Sequence, residues 1–360
     1  MDDLKRIREE IDETDRAVAE LFCRRMKAVE QVAAYKAERG LPVRDAEREE
    51  AILRRNGAWI GDPVLREYYI GFQRGVMDIS RAYQERLMQG EKIAYSGVRG
   101  AFADLAARKL FPGADYRAYP DFASAYEAVV KGECDHVVLP IENSFAGEVG
   151  VVCDLLFSGP LYINRVTNLP VTHHLIAPRG SDLSRIRKVV SHPQALAQCA
   201  AYLRAHGWET EDFSNTALAA KYVAEQNDPG VAAIGTEEAA ELYGLEILAK
   251  GINESDRNTT RFVSLSRVEA DGVRNEQDCF FLVFTVKNQA GALADAINII
   301  GRYGFNMRGL HSRPMKTLVW QYYFYLECEG NIRSELGKEM LTRLGTVCDK
   351  LKLVGSYPVD

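Results

Sequence analysis

Apolar and charged residues alternate along the first ninety positions with the period of an α-helix. Apolar residues recur at steps of three and four from Leu4 to Val32, and no proline or glycine interrupts the segment before residue 40. This pattern predicts one helix of roughly 37 residues, about 55 Å long. A single helical region of ninety residues is too small to cover so long a helix, so we expect a second subunit to pack against it. Further helices are predicted to begin at Asp45 and at Asp62.

Three cations share the apolar face of this first helix. Steps of three and four residues along the helix bring Arg8, Arg25 and Lys36 onto that face. Because a buried cation is costly unless it is paired, three of them indicate an anionic ligand in a helical core. The alternatives are side chains that snorkel to the helix ends or pair with Asp12 and Asp15.

Between residues 91 and 270 the pattern changes to short apolar runs that alternate with helical segments. It predicts parallel sheets with helices on both faces, in two lobes with a cleft between them. The chain is expected to cross between the lobes near Pro170 and again near Leu245–Gly251. The predicted elements are Lys92–Tyr95, Phe102–Leu110, Ser124–Lys131, His136–Leu139, Thr172–Ala177, Lys188–Ser191, Pro193–His206, Asn215–Gln226, Val231–Ile234 and Glu237–Tyr243.

Polar residues follow several of the predicted strands. Pro140 is expected to end the strand His136–Leu139, because proline cannot donate to a ladder. The polar triplet that follows, Glu142, Asn143 and Ser144, is typical of a ligand-facing loop at the carboxyl end of a strand. Two further polar segments are Ser191–Gln198 and Thr259–Phe262. The alternatives are ordinary helix caps and edge-strand propensity.

The last region has the order of a small α+β module. After a polar segment, Glu269–Asp278, the pattern predicts βαββαβ, which is ferredoxin-like. Its predicted elements are Cys279–Lys287, Leu293–Tyr303, Phe305–Ser312, Leu318–Glu327, Ile332–Leu344 and Lys350–Tyr357.

Composition narrows the class of protein. A chain of 360 residues predicts two or three domains, and its net charge of −6 gives no support for nucleic-acid binding. No run of about 18 apolar residues predicts a membrane span, and the charged N-terminus does not resemble a secretory signal. The seven cysteines are scattered without a CxxC pair, which fits a reducing cytoplasm and no metal site. We expect a cytoplasmic protein without a metal or other cofactor.

The first region resembles the all-helical chorismate mutase family. The resemblance lies in LxxIRxxI from Leu4, PVRDxxRE from Pro42 and SxxxQ from Ser80, although the pattern leaves Ile79 or Ser80 at the serine position. It implies an intertwined homodimer of three-helix chains. The implied substrate-binding residues are Arg8 of the partner subunit, Arg25, Lys36, Asp45, Arg48, Glu49, Ser80 and Gln84.

The resemblance also implies a role for each of these residues. The three arginines would bind the two carboxylates of chorismate, Lys36 and Gln84 would hydrogen-bond its ether oxygen, and the others would hold its hydroxyl group. The residue types suit a pericyclic rearrangement. That reaction needs a folded substrate and fixed donors to the ether oxygen, but no acid, base or nucleophile.

The second region resembles the prephenate dehydratase family. The motifs are GxxGxF from Gly97, PIENS from Pro140, SHPQ from Ser191 and TRF from Thr260. They imply a two-lobed fold like that of periplasmic binding proteins, whose cleft decarboxylates and dehydrates prephenate to phenylpyruvate. The implied site residues are Glu142, Asn143, Ser144, Ser191, Gln194, Gln198, Thr260, Arg261 and Phe262. Among them, Thr260 would assist the leaving hydroxyl and Arg261 would lie near a substrate carboxylate.

The third region resembles an ACT domain, a ligand-sensing module that pairs side by side. In that family two segments close over phenylalanine across a dimer interface. The corresponding residues are Ala290, Gly291, Ala292, Leu293, His311, Ser312, Arg313 and Pro314. His311 replaces the usual glutamate, which puts the strength of phenylalanine inhibition in question. The alternative is a module that only dimerises.

The order of the three regions, 1–90, 91–270 and 275–360, resembles that of bifunctional chorismate mutase–prephenate dehydratases of phenylalanine biosynthesis. The expected ligands are chorismate, prephenate and the effector phenylalanine, and the expected assembly is a homodimer or a higher homo-oligomer. One alternative is the same architecture acting on arogenate. Another is a binding-protein fold that senses an amino acid without catalysis.

Overall fold

Two compact units, Met1–Glu91 and Lys92–Asp360, make up the computed structural model of the chain. The structure describes residues 2–255, 257–270, 278–315 and 321–358. Most of the predicted linker Glu269–Asp278, and the start of the predicted strand Leu318–Glu327, lie outside the described residues. Within the described ranges, no helix is both long and apolar enough to cross a bilayer.

The first unit is a set of three helices. They are α1 (Asp2–Arg39), α2 (Ala46–Gly57) and α3 (Pro63–Gln89). The first helix has 38 residues, in agreement with the length expected from its uninterrupted pattern. The carboxylate of Asp45 caps α2 by accepting a hydrogen bond from the Arg48 amide at 3.0 Å, and that of Asp62 caps α3.

Most of the apolar stripe of α1 is exposed within one chain. Among the described residues of this unit, the buried hydrophobic side chains are Val29, Ala33 and Met77, whereas Leu21 is 62% exposed. Leu4, Ile7, Ile11, Val18 and Phe22 are exposed as well. So small a core leaves a contiguous apolar surface uncovered, which is the mark of an interaction surface.

The second unit begins with a two-lobed α/β region. Its strands are β1 (Lys92–Ser96), β2 (Asp115–Tyr119), β3 (His136–Asn143), β4 (Gly147–Glu148), β5 (Tyr162–Pro170), β6 (His174–Ala177), β7 (Lys188–Ser191), β8 (Glu209–Asp212), β9 (Val231–Gly235), β10 (Glu246–Ala249) and β11 (Thr259–Ser266). Its helices are α4 (Phe102–Leu110), α5 (Phe122–Val130), α6 (Gly150–Ser158), α7 (Pro193–Gln198), α8 (Ala200–His206), α9 (Thr216–Gln226) and α10 (Glu237–Tyr243), with a 3₁₀ turn at Leu183–Arg185.

The chain then forms an antiparallel βαββαβ module, as its pattern predicted. Its elements are β12 (Cys279–Val286), α11 (Ala292–Arg302), β13 (Asn306–Pro314), β14 (Tyr322–Glu329), α12 (Glu335–Leu344) and β15 (Cys348–Tyr357).

Two sheets organise this unit. The second lobe is built on the order β10-β6-β9-β7-β8, and the first lobe on β5-β11-β3-β1-β2, with β4 paired to β3. Both sheets are mixed. In the first lobe β1, β2, β3 and β5 run in one direction and β11 runs antiparallel between β3 and β5. In the second lobe β7 is parallel to β8 and β9, whereas β6 is antiparallel to β9 and β10. The expectation of purely parallel sheets is therefore wrong, because the chain crosses between the lobes twice and returns as antiparallel β11.

Strand β3 does not end at Pro140 but continues to Asn143. Its pairing with β1 stops at Val138, whereas its pairing with β11 continues, with a bulge between Arg261 and Phe262. Because Pro140 lies beyond the β1 ladder and beside a bulge, its missing N–H costs no sheet hydrogen bond. The predicted helix Pro193–His206 is also divided, into α7 and α8.

The first lobe and the C-terminal module share one hydrophobic core. Leu139 and Ile163 of the lobe belong to the same buried cluster as Phe281, Tyr325 and Val354 of the module. The sheet of the module, ordered β13-β14-β12-β15, joins that of the lobe through β15 and β5. The module is therefore packed directly onto the lobe that carries β3 and β11.

Candidate active sites

A cavity of about 630 Å³ lies within the helical unit. Of the predicted mutase residues it brings together Arg25, Lys36, Asp45, Arg48, Glu49, Ser80 and Gln84. Arg8 lies seventeen residues before Arg25 on α1, or about 26 Å away along the helix. It therefore cannot reach this cavity from the same chain.

Polar contacts fix the walls of the helical cavity. Ser80 is buried while Ile79 is 51% exposed, which settles the register of α3 in favour of the serine. Arg25 donates to the Ser80 hydroxyl group, and Gln84 donates to the Ser80 carbonyl at 3.2 Å. The Gln84 Oε1 atom is buried without a partner among the described residues. Burial lowers the pKa of Arg25.

Arg81 is a cavity residue that the sequence patterns did not single out. Its guanidinium contacts the Glu49 carboxylate at 2.6 Å and also pairs with Asp78. Arg81 follows Ser80 on α3, and this position next to a predicted site residue was the one feature of the sequence that could have indicated it. The cavity therefore combines four cations with two carboxylates, which suits a ligand with more than one negative charge.

A second site lies in the cleft between the two lobes. Adjoining cavities of about 190 and 680 Å³ share Ala101, Phe102, Asn143, Gln194, Asn215 and Thr260. Gln198 lines the smaller cavity and Phe262 the larger. Five of the nine predicted dehydratase residues thus meet at the cleft: Asn143, Gln194, Gln198, Thr260 and Phe262.

Asn143 orients the hydroxyl group of Thr260. Its Oδ1 accepts backbone N–H groups from Phe145 and Ala146 at 3.0 and 2.9 Å, so its amide nitrogen must face the other way. That nitrogen donates to Thr260 Oγ1 at 2.9 Å and to Asn258 Oδ1 at 2.8 Å. Thr260 accepts this hydrogen bond, which leaves its own O–H as a donor in the cleft.

Further donors face the cleft. Asn258 uses its oxygen on Asn143, and its Nδ2 is buried without a partner among the described residues. Among the residues that the structure describes, those lining the cleft include no lysine or arginine. They do include the first residues of α4 and α9, where backbone N–H groups and the helix dipole favour an anion. The cleft can therefore bind carboxylates through amides and helix ends.

His173 is a cleft residue that the sequence did not single out. It is buried, its Nε2 lies 2.8 Å from Gln198 Oε1, and its ring packs edge-on against Phe102. Burial lowers its pKa, and the hydrogen bond with Gln198 opposes that shift only in part. Burial therefore favours the neutral form of the ring. Its position just after the predicted crossing near Pro170 was the only signal in the sequence.

Arg261 does not face the cleft, contrary to the expectation that it lies near a substrate carboxylate there. Side chains alternate along β11, so Thr260 and Phe262 point to the cleft and Arg261 points away. Arg261 instead forms a two-pronged ion pair with Glu327 at 2.5 and 2.6 Å. Arg261 also lines a separate cavity of about 360 Å³, the outer cavity, together with Thr259, Arg308 and Tyr357. Glu142, opposite Arg261 on β3, lines this outer cavity rather than the cleft.

Two predicted serines also lie away from the cleft lining. Ser191 is fully buried, and its hydroxyl donates to the Ile234 carbonyl at 2.8 Å. Ser144 donates to the Arg257 carbonyl and accepts the Thr259 amide at 2.9 Å. Both hydroxyl groups therefore bond to backbone groups of segments that are distant in the chain, and not to the cleft.

The predicted effector segments lie on two parts of the module. Gly291 caps α11 with a φ of +86°, a conformation that favours glycine. His311 and Arg313 lie on β13 and contact the first lobe: His311 Nδ1 lies 4.0 Å from Glu148, and Arg313 Nε lies 3.3 Å from Asp154. Glu148 also lines the cleft, so this segment touches the wall of the second site.

Comparison with known proteins assigns both regions. Residues 93–270 match the family model for prephenate dehydratase, and residues 7–85 match that for chorismate mutase type II. The chain is 32% identical to the bifunctional chorismate mutase/prephenate dehydratase of Enterobacter agglomerans, over 98% of this chain and 95% of that protein. It is 36% identical to the chloroplastic arogenate dehydratase/prephenate dehydratase 2 of Arabidopsis thaliana, over 75% of this chain and 73% of that protein.

A solved structure gives the same class. The prephenate dehydratase of Arthrobacter aurescens, in complex with L-Phe, has a TM-score of 0.69 and 28% identity, covering 74% of this chain and 90% of that chain. The fold and sites define a two-lobed dehydratase joined to a helical mutase domain. The chain belongs to the bifunctional chorismate mutase/prephenate dehydratase family, which confirms the resemblance found in its sequence.

Proposed function

We propose that the two cavities are the two active sites of a bifunctional enzyme. The helical unit converts chorismate to prephenate, and the cleft converts prephenate to phenylpyruvate with loss of CO₂ and water. The observation that carries this proposal is the convergence of Thr260, Asn143 and Asn258 in the cleft of a chain whose separate helical cavity holds Arg25 and Lys36.

In the helical cavity, fixed charges do the work. Arg25 and Arg48 bind the carboxylates of chorismate and hold it in the folded conformation that the rearrangement requires. Lys36 and Gln84 donate to the ether oxygen, on which negative charge grows in the transition state. Asp45 and Glu49 bind the hydroxyl group, and Arg81 holds the Glu49 carboxylate in place through their ion pair.

The helical site is completed by a second subunit. Support comes from the exposed apolar stripe of α1 and from the distance that separates Arg8 from its own cavity. In a homodimer with intertwined α1 helices, Arg8 of one subunit supplies the third carboxylate-binding cation to the other.

Arg8→Ala and Arg25→Ala chains test this sharing. Each homodimer should lose mutase activity, because each lacks one carboxylate contact. After mixing and refolding, about half the dimers are hybrids, and each hybrid has one intact site, so about a quarter of the wild-type rate should return. Mutase rates measured before and after mixing decide the matter. A mixture that stays inactive contradicts a site shared between subunits.

In the cleft, aromatisation of the ring drives the reaction, and the protein assists departure of the hydroxyl group. Thr260 donates a hydrogen bond to that hydroxyl, while Asn143 fixes the Thr260 oxygen. A threonine is a weak acid, so its contribution is hydrogen-bond assistance rather than complete proton transfer. The carboxylates of prephenate bind Gln194, Gln198, Asn258 and the N-termini of α4 and α9.

The C-terminal module binds phenylalanine and regulates the dehydratase. Its βαββαβ order and the phenylalanine complex of the Arthrobacter protein support this role. The effector residues are Ala290–Leu293 and His311–Pro314. The contact of His311 and Arg313 with Glu148 and Asp154 gives effector binding a route to the cleft.

An ultraviolet assay of the purified protein with chorismate tests the whole function. Chorismate should disappear, prephenate should pass through a maximum, and phenylpyruvate should accumulate at a rate that added phenylalanine lowers. Arogenate offered in place of prephenate tests the rival substrate. Ligand binding without release of CO₂ would show a sensor rather than an enzyme.

A further inference from the structure

Arg261 joins two parts of the second unit from the back of the active-site strand. Its guanidinium forms two hydrogen bonds with the Glu327 carboxylate and donates to the Tyr357 hydroxyl, which in turn donates to Glu327. Arg261 lies on β11 of the first lobe, whereas Glu327 lies on β14 and Tyr357 on β15 of the C-terminal module. The three side chains therefore close a polar ring across the junction.

The ring is buried enough to hold its geometry. The side chains of Arg261 and Glu327 are 18% and 7% exposed, and Tyr357 is buried. Burial opposes ionisation of Glu327, but the hydrogen bonds from Arg261 and Tyr357 outweigh it and keep the pKa of Glu327 below its ordinary value. Because a bidentate pair fixes orientation as well as distance, the end of β11 is anchored to the module.

The β-sheet around the ring continues from the module into the first lobe. Gly355 of β15 pairs with Ile163 of β5, and β5 pairs with β11 along its whole length. Gly355 has a φ of +151°, and a Cβ there would lie 2.1 Å from the Ile163 carbonyl oxygen, so only glycine permits this approach. At the junction β15 is therefore a direct sheet neighbour of β5 in the first lobe.

Thr260 is one peptide bond from this anchor. Thr260 pairs with Asn143 in register, and the bulge between Arg261 and Phe262 interrupts the ladder immediately beyond. A bulge weakens the hold of the neighbouring strand on this segment. On the β5 side the ladder is continuous through this segment, and the side chain of Arg261 adds a restraint to the β3 side, where the ladder is interrupted.

We propose that Arg261 is a positioning residue of the dehydratase reaction, which acts through Thr260 and makes the C-terminal module part of the catalytic assembly through Glu327 and Tyr357. Releasing the ring lets the Thr260 hydroxyl drift from the position that Asn143 sets. A displacement of about 1 Å at a reacting group costs about 10²-fold in rate. The proposal rests on the role proposed above for Thr260.

Arg261→Met and Glu327→Gln in the full chain test it. Each should lower kcat for prephenate by about 10- to 100-fold and leave KM within about threefold, because the pair orients the active site without touching substrate. The double variant should be no worse than Arg261→Met, since both changes remove one interaction. Arg261→Lys, which keeps the charge, should recover part of the lost kcat.

Arg308→Met is the matched control. Arg308 lines the same outer cavity and approaches a neighbouring glutamate, Glu329, at 3.7 Å, but it does not belong to the ring. Its dehydratase rate should stay within about threefold of the wild type. Thermal unfolding of every variant, measured alongside, separates loss of rate from loss of fold.

Three outcomes would overturn the proposal. They are a wild-type rate in Glu327→Gln, a raised KM with unchanged kcat in Arg261→Met, and a loss of rate that merely follows the unfolded fraction. If Thr260→Val itself leaves dehydration intact, the proposed role of Thr260 fails first. If Thr260→Val is inactive while Glu327→Gln behaves as wild type, only the present inference fails.

Discussion

Replacing Lys36 with methionine will lower kcat/KM for chorismate by about 10²- to 10³-fold, while dehydration of supplied prephenate stays within about twofold. Methionine keeps most of the side-chain volume but removes the ammonium that is proposed to donate to the ether oxygen. Loss of one preorganised donor to a developing negative charge typically has this magnitude. Steady-state rates with each substrate, measured on one preparation, give both numbers.

Lys27→Met is the matched control for this prediction. Lys27 lies on the same helix and is exposed, and it does not line the helical cavity. Its mutase rate should stay within about threefold of the wild type. If Lys36→Met abolished both activities together, two separate sites would be contradicted.

Replacing Thr260 with valine will lower kcat for prephenate by about 10²- to 10³-fold, while the mutase rate stays unchanged. Valine has the shape of threonine without the O–H donor, and it removes one of the acceptors of the Asn143 amide, whose bond to Asn258 remains. Assistance by a positioned donor of this kind contributes about 10²- to 10⁴-fold. Thr260→Ser keeps the hydroxyl group and should retain a measurable part of the activity.

Thr259→Val removes the neighbouring hydroxyl and serves as the control. Thr259 lines the outer cavity and Thr260 lines the cleft. The control should keep its dehydratase rate within about threefold. Equal losses in both variants would mean that the strand, and not the Thr260 hydroxyl, is what the reaction requires.

The sequence predicted the elements whose signals are local. The length of α1 followed from an uninterrupted helical period, and the starts of α2 and α3 followed from Asp45 and Asp62, which cap them. The βαββαβ order of the C-terminal module followed in the same way. These features depend on residues near one another in the chain, so pattern alone was enough.

Features set by distant partners were not predicted. A proline usually ends a strand, but Pro140 lies beyond the part of β3 that pairs with β1, and β3 therefore continues through it. The strand β5 was missed because polar residues interrupt its apolar pattern, and its antiparallel pairing with β11 spans about a hundred residues. Such pairing overrides local propensity.

In the candidate sites, too, local patterns predicted some features, and features that depend on distant partners were missed. Residue types identified Lys36, Asn143 and Thr260, but not which face of a strand each side chain takes. Arg261 was expected in the cleft and instead pairs with Glu327, a residue of another module. His173 and Arg81 were missed because only tertiary packing brings them to a cavity.

The proposed function requires one chain to make prephenate at one site and to consume it at another. Mixing the Lys36→Met and Thr260→Val proteins with chorismate tests it most directly. Alone, Thr260→Val should accumulate prephenate, and Lys36→Met should leave chorismate largely unchanged. The equimolar mixture should form phenylpyruvate after a lag, because each protein supplies the site that the other lacks. A mixture that accumulates prephenate without forming phenylpyruvate would contradict the account.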